Sequence, residues 1–282
     1  MTETQLSLFS NLEDNNLSRR QKKAKLGRYE RLQRELELKN QDSYKILVDV
    51  ESPATPASSY TFVDLFCGAG GMTQGLAQAA FQPIASVELN PIASATHKRN
   101  FPNCHHFCGD IAQFEPKEWL NEIGSPEIQL VVGGPPCQGF SVAGKRNPND
   151  ERNRLFYEFA RIVDQIKPWY VVMENVPGIL TLQKGNFKKA ICKEFEAIGY
   201  PNISIAILES AAYKVPQIRP RAIFIANRFG MQNPYPKPQL LPEEYKPIES
   251  AISDLPEYTP IPEINHEWTR HSLEYMERIA KV

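Results

Sequence analysis

The chain has 282 residues, of which 41% are apolar and 23% charged, with Lys+Arg 32 against Asp+Glu 33 for a net charge of −1. That length buries a sizeable core, and no apolar run reaches the roughly 18 residues of a membrane span. Without a whole-chain positive excess, any nucleic-acid binding must use a local patch. The N-terminus lacks the basic start and apolar run of a signal peptide. Five cysteines are an odd number, scattered through a large chain, and read as reduced thiols of a cytoplasmic protein.

Residues 1–56 differ from the rest and read as a polar, basic, partly helical extension ending in a linker. Met1 to Asn16 is polar, with one apolar knot at Leu6, Leu8 and Phe9. Leu17 to Lys39 carries nine basic and three acidic residues. Tyr29, Leu32 and Leu36 there fall on one helical stripe, a solvated face or a phosphate-contacting arm. Ser52 to Ser59, with Pro53 and Pro56, reads as the linker.

From Tyr60 the pattern predicts alternating strands and helices, and residues 57–282 read as one catalytic domain. Strands are predicted at Thr61–Phe66, Ile84–Val87, Ile128–Val132, Trp169–Met173 and Ile203–Leu208, and helices at Met72–Ala80, Leu155–Ile166 and Phe187–Ile198. This order implies an α/β fold, a doubly wound and mostly parallel sheet with helices on both faces. Ala222–Ala226 follows Ile203–Leu208 without a helix, so an antiparallel hairpin is expected at one edge. Eight prolines between Pro234 and Pro262 mark that stretch as a surface connection.

The first strand, Phe62-Val63-Asp64-Leu65-Phe66, runs straight into Cys67-Gly68-Ala69-Gly70-Gly71. Glycines there permit a tight turn and close approach of a ligand. Gly68 and Gly70 match a dinucleotide fingerprint, but Thr73 stands where its third glycine belongs. Glu88, twenty residues after Gly68, ends the next strand, where a carboxylate accepts ribose hydroxyls. Asp110, read as ending a third short strand in Gly109-Asp110-Ile111, suits an adenine amino group. Together these strand ends suggest an adenosine crevice without a pyrophosphate.

Val131-Val132 leads into Gly133-Gly134-Pro135-Pro136-Cys137-Gln138-Gly139-Phe140-Ser141. A thiol between a proline-stiffened turn and a glycine-containing loop is presented for chemistry. Cys67, Cys104, Cys108 and Cys192 read instead as ordinary buried thiols. Glu174 ends the next strand, beside the same crevice. A thiolate and a carboxyl suit attack on an electron-poor ring, with the acid stabilising charge on a ring nitrogen. Arg219 and Arg221, at i and i+2, are expected to share a face and bind a carbonyl oxygen or phosphate.

These blocks, in this order and with Asn153-Arg154-Leu155-Phe156, Glu174-Asn175-Val176 and Gln217 to Arg221, resemble the cytosine-C5 DNA methyltransferases from about Tyr60 to the end. The resemblance implies a methyltransferase fold and S-adenosyl-L-methionine as cofactor. Phe66 would pack on the adenine, Glu88 would hold the ribose, and Asp110 and Leu155 would line the pocket with Gly68, Gly70, Ile111 and Pro136. Cys137 would attack C6 of a cytosine flipped out of double-stranded DNA. Glu174 would contact N3 and the exocyclic amine, Arg221 the O2 carbonyl, and Arg219 would support the loop.

Ala251-Ile252-Ser253-Asp254-Leu255-Pro256 and Asn265-His266 resemble the stretch that in the family precedes the target-recognition region. That region and the final motif are expected on a second polypeptide, or else the chain is a truncated product. A transfer-RNA cytosine methyltransferase and an inactive scaffold are the alternatives. The target sequence itself is not legible. Cys104-His105-His106-Phe107-Cys108 matches no standard zinc spacing, so no metal is expected, and His97, His266 and His271 show no constellation. Gln5-Leu6-Ser7-Leu8-Phe9 resembles the short peptide that docks on the bacterial sliding clamp. It reads otherwise as a tail whose leucines pack on its own domain or on nothing.

Overall fold

This computed structural model describes residues 46–48, 60–136 and 154–254. The clamp-like peptide, the basic stretch, the linker, Cys137 to Asn153, His266 and His271 lie outside those residues.

Nine strands and six α-helices are described. In chain order they are β1 (Ile46–Val48), β2 (Thr61–Leu65), α1 (Gly71–Gln78), β3 (Gln82–Glu88), α2 (Pro91–Asn100), β4 (His105–Cys108), α3 (Pro116–Glu122), β5 (Leu130–Gly133), α4 (Arg154–Ile166), β6 (Tyr170–Asn175), α5 (Asn186–Ala197), β7 (Asn202–Glu209), β8 (Pro220–Asn227), β9 (Pro234–Pro236) and α6 (Glu249–Ile252). Seven strands form one sheet in the order β4-β3-β2-β5-β6-β8-β7. β4, β3, β2, β5 and β6 are mutually parallel. β8 runs antiparallel to both β6 and β7. The predicted hairpin is therefore present, but its antiparallel strand is enclosed and β7 forms the edge.

Alternation along β2 divides the core into two layers. Val63 and Leu65 face a large cluster with Phe156, Phe159, Ile162 and Val163 of α4 and Ile191 and Phe195 of α5. The α4 residues recur at helical spacing, which turns one apolar stripe onto the sheet. Phe62 faces the other way, with Leu130 and Val132, beneath Met72 and Leu76 of α1. β5 is buried along its whole length, as a central parallel strand must be.

Two expectations are corrected here. The third parallel strand is His105–Cys108, and Asp110 lies beyond its end as the cap of a 3-10 turn, Ile111–Gln113, accepting from the Ala112 N–H at 3.0 Å. The proline-rich stretch is also not wholly surface. β9 pairs in parallel with β1 of the N-terminal extension, and Tyr235 is 1% exposed, donating its hydroxyl to the Ile223 carbonyl at 3.0 Å. Asn227 and Asn233 fix the turn before it, bonded to each other at 2.7 Å and to the Met231, Asn202 and Ile225 carbonyls. Among the described residues no helix is long and apolar enough to cross a membrane.

Gly133 sets how closely β2 and β5 approach. A Cβ there would lie 2.4 Å from the Leu65 carbonyl oxygen and 2.9 Å from the Phe159 ring. Both obstacles are rigid, so Gly133→Ala is expected to cost about 2 kcal/mol of stability in urea titration. Gly134→Ala meets the end of the Glu174 side chain at 3.2 Å and its carbonyl oxygen at an ordinary 3.7 Å, and should be measurably milder.

Candidate active site

The parallel register brings the strand ends to one edge. Leu65 lies beside Val87 and Gly133, Glu88 beside Cys108, and Gly133 beside Met173. The chain leaves β2 through Phe66, whose φ of 60° is unusual for a residue with a Cβ, then Gly68 at 57° and Gly70 at 99°. Such left-handed backbone in a non-glycine residue is costly and concentrates at functional sites. A Cβ on Gly70 would strike Phe101 at 2.5 Å and His97 at 3.0 Å, so the loop rests directly on α2. A Cβ on Gly68 would meet nothing within 4 Å, so this part of the loop borders open space.

Glu88 fastens the loop to the next strand. One carboxylate oxygen accepts from the Gly68 N–H at 2.8 Å and the other from the Asn90 N–H at 2.8 Å. A carboxylate offers about four lone-pair sites, so two remain for ribose hydroxyls. Asp110 is exposed beyond β4. Leu155 is half-buried at the start of α4, and Phe66 packs against the same core. Ile111 differs from expectation, because its side chain is 4% exposed and sits in the core. Its carbonyl accepts from Arg161 Nη2 at 3.0 Å, as does that of Phe114. Arg161, which the sequence did not single out, thus ties the Asp110 turn to α4. A carboxylate with free lone pairs, open space at Gly68 and an exposed acidic residue fit S-adenosyl-L-methionine.

At the far side of the edge, Glu174 pairs with Arg221 Nε at 2.5 Å, across the diagonal of β6 and β8. Both side chains are partly buried, at 28% and 19% exposure, which strengthens the pair over a surface one. Glu174 also overlies Gly134, on the segment that enters Cys137. Pro136 is half-buried on that segment. Arg219 does not join Arg221. It precedes β8, its side chain is exposed, and its N–H donates to Glu209 at 2.5 Å. Cys137 lies outside the described residues.

Asn175 was present in the quoted motif but not chosen as a site residue. It is 5% exposed, donates Nδ2 to the Pro135 carbonyl at 2.9 Å, and accepts from the Val176 N–H at 2.9 Å. It therefore fixes the proline turn to the end of β6. The thiols also divide differently from expectation: Cys67 and Cys104 are buried and Cys192 half-buried, whereas Cys108 is exposed where β4 ends. Burial pushes the Cys104 thiol up to about 11 and Cys67 further still, with nearby Asp64 adding to both shifts. His97, expected to belong to no constellation, is fully buried among polar groups. Burial lowers it to about 4, and lowers His106 as well. Burial likewise raises Asp64 to about 7, against the opposing hydrogen bond from Thr73.

The sheet order with its single antiparallel strand, and a glycine loop facing carboxylates at the carboxyl edge, define a methyltransferase fold with a nucleoside crevice. The family model for C-5 cytosine-specific DNA methylases matches residues 60–282, and the chain belongs to that family. It is 36% identical over 230 residues to the type II methyltransferase M1.HphI of Haemophilus parahaemolyticus, covering 79% of this chain and 61% of the relative. It is 37% identical to type II methyltransferase M.AquIA of Picosynechococcus, covering 70% of this chain and 90% of that protein. A solved structure described as a DNA modification methyltransferase of an E. coli prophage superposes with a TM-score of 0.61 at 28% identity, over 76% of this chain and 59% of the other. The chain thus spans about three-fifths of M1.HphI but nearly all of M.AquIA.

Asn175→Ala removes a donor and an acceptor from a buried turn. A stability loss of about 1–2 kcal/mol is expected in urea titration, and a loss within error of zero would show that Asn175 does not anchor Pro135.

Proposed function

We propose that the protein transfers a methyl group from S-adenosyl-L-methionine to C5 of cytosine in double-stranded DNA, through a covalent bond between Cys137 and C6. The observation that carries the reading is the Glu174–Arg221 pair, set over the segment that leads into Cys137, at the same sheet edge as the Glu88 cradle.

The cofactor, when bound, supplies an electrophilic methyl group. Glu88 accepts its ribose hydroxyls, Asp110 its adenine amino group, and Phe66, Leu155 and Pro136 line the pocket. Cys137, as thiolate, adds to C6 of an extruded cytosine and leaves C5 electron-rich. Glu174 holds the ring at N3 and the exocyclic amine, and Arg221 holds O2, so that charge entering the ring is stabilised. Methyl transfer to C5 leaves S-adenosyl-L-homocysteine; water then takes the C5 proton as the C5–C6 double bond re-forms and the C6–S pair departs with Cys137 as thiolate. Extrusion is needed because C5 and C6 are inaccessible inside the stack. Arg219, exposed before β8, supports the loop or a phosphate.

Target recognition is assigned to a second polypeptide. The support is the match to 90% of M.AquIA, which makes the catalytic region nearly a whole chain in that relative. A cytoplasmic location belongs to the same proposal.

The test is transfer of labelled methyl from S-adenosyl-L-methionine to unmethylated DNA, with the full chain alone and with the product of an adjacent reading frame. Cys137→Ser should abolish transfer while leaving cofactor binding within about 2-fold, and Glu174→Gln should slow it by about 10²-fold, the scale of a positioned acid. Wild-type turnover by Cys137→Ser would overturn the mechanism, and incorporation into transfer RNA in place of DNA would overturn the substrate.

A further inference from the structure

Beneath the cofactor loop lies a set of buried polar side chains that the proposed chemistry does not use. Thr73 donates its hydroxyl to Asp64 Oδ2 at 2.6 Å and meets His97 Nε2 at 3.0 Å. Ser86 Oγ meets His97 Nδ1 at 3.4 Å and His106 Nδ1 at 2.6 Å. Ser94 Oγ meets His106 Nε2 at 2.6 Å. Asp64, Thr73, Ser86, Ser94 and His97 are all buried.

With Asp64 ionised, the proton count allows one direction. Thr73 has a single hydroxyl proton, and it goes to Asp64. His97 must therefore donate from Nε2 to the Thr73 oxygen, and its Nδ1, in the neutral ring, must accept from Ser86. Ser86 has then used its proton, so His106 donates to it from Nδ1, and His106 Nε2 accepts from Ser94. Donation runs Ser94, His106, Ser86, His97, Thr73, Asp64, with both rings neutral. Each hydroxyl and ring in the run donates one proton onward.

The run spans the base of the cofactor loop. Asp64 is the penultimate residue of β2 and Thr73 lies in the first turn of α1, so their bond closes the two ends of the Phe66–Gly71 loop. His97 joins that closure to α2, and its ring lies under Gly70, 3.0 Å from where a Cβ would stand. The same loop is held above by Glu88.

We propose that Thr73 and His97 are positioning residues that hold the Phe66–Gly71 loop in its cofactor-binding shape, through this one-directional run of hydrogen bonds. The proposal rests on the reading of that loop as the cofactor cradle. Thr73 thus explains why a hydroxyl-bearing residue stands where a dinucleotide fingerprint has its third glycine.

A competing use of the cluster is metal binding, since ligand atoms of Cys67, His97 and His106 lie within 4.8 Å of one another. An ion there would need ring nitrogens that the run already engages.

The experiment is calorimetric titration of the full-length protein with S-adenosyl-L-methionine, beside thermal unfolding. Thr73→Val keeps the volume and removes the hydroxyl, and should weaken binding about 10-fold. Thr73→Ser keeps the hydroxyl, and should bind within about 2-fold of wild type while unfolding at lower temperature, because its lost methyl leaves a void. Thr73→Val also unfolds earlier, because buried Asp64 and His97 lose their partner, so both variants lose stability while Thr73→Val alone loses affinity, which a merely structural role would not produce. His97→Phe, which keeps a ring against Gly70 and Phe101, is a second break, expected to weaken binding about 3-fold or more. Wild-type affinity in a folded Thr73→Val or His97→Phe variant overturns the proposal, as does equal loss in Thr73→Ser and Thr73→Val. Native mass spectrometry with equimolar zinc should show no retained ion, and a tightly held zinc that His106→Gln removes overturns it too. Failure of the wild-type protein to bind the cofactor overturns the functional reading instead.

Discussion

Glu88 accepts one backbone hydrogen bond on each carboxylate oxygen, and the carboxyl edge of the sheet is organised around that clamp. Gly68 on one side belongs to the loop after β2, and Asn90 on the other begins α2. Asn90 in turn caps α2 by accepting from the Ile92 and Ala93 N–H groups at 2.9 and 3.2 Å. Eight and twelve residues on from Glu88's neighbour Leu89, His97 and Phe101 pack back under Gly70. The contacts close a ring, from loop to Glu88 to Asn90 to α2 and back to the loop. Hydrogen bonds to a charged acceptor are each stronger than neutral ones, about 1.5–3 kcal/mol. A loop held at both ends can keep Phe66, Gly68 and Gly70 in left-handed backbone without a ligand to hold them there.

The opposite side of the crevice depends on close approach rather than on charge. Gly133 lets β5 lie against Leu65, and Asn175 ties the following proline turn to β6. These constraints set Gly134 and Pro135 beside the end of β6, where the Glu174 carboxylate pairs with Arg221. The Glu88 side and the Glu174 side of this edge thus meet across β2, β5 and β6, strands whose register fixes their ends side by side.

Much of this was legible in the sequence, because its signals are local. The alternation of strands and helices, the glycine loop, and Glu88 and Glu174 at strand ends follow from periodicity and from the residues that stop it. What was not legible depends on contacts distant in the chain. Asp110 reads as a strand end until β4 is seen to pair with β3 from His105 only as far as Cys108. Tyr235 lies in a run of prolines, and only its pairing region shows that it is buried. Ile111 and Asp110 are adjacent, yet a 3-10 turn sends one into the core and leaves the other exposed. His97 gave no signal, since its partners come from α1, β3 and β4 and no spacing within α2 reveals them.

The central claim is that the crevice built around Glu88 binds the adenosyl cofactor. Equilibrium binding of S-adenosyl-L-methionine to the full chain and to Glu88→Ala, each checked for folded content by circular dichroism, tests it most directly. The account predicts saturable binding by the wild-type chain and affinity at least about 10-fold weaker in folded Glu88→Ala, which loses both the ribose acceptors and the loop clamp. Equal affinity in the two proteins would contradict it.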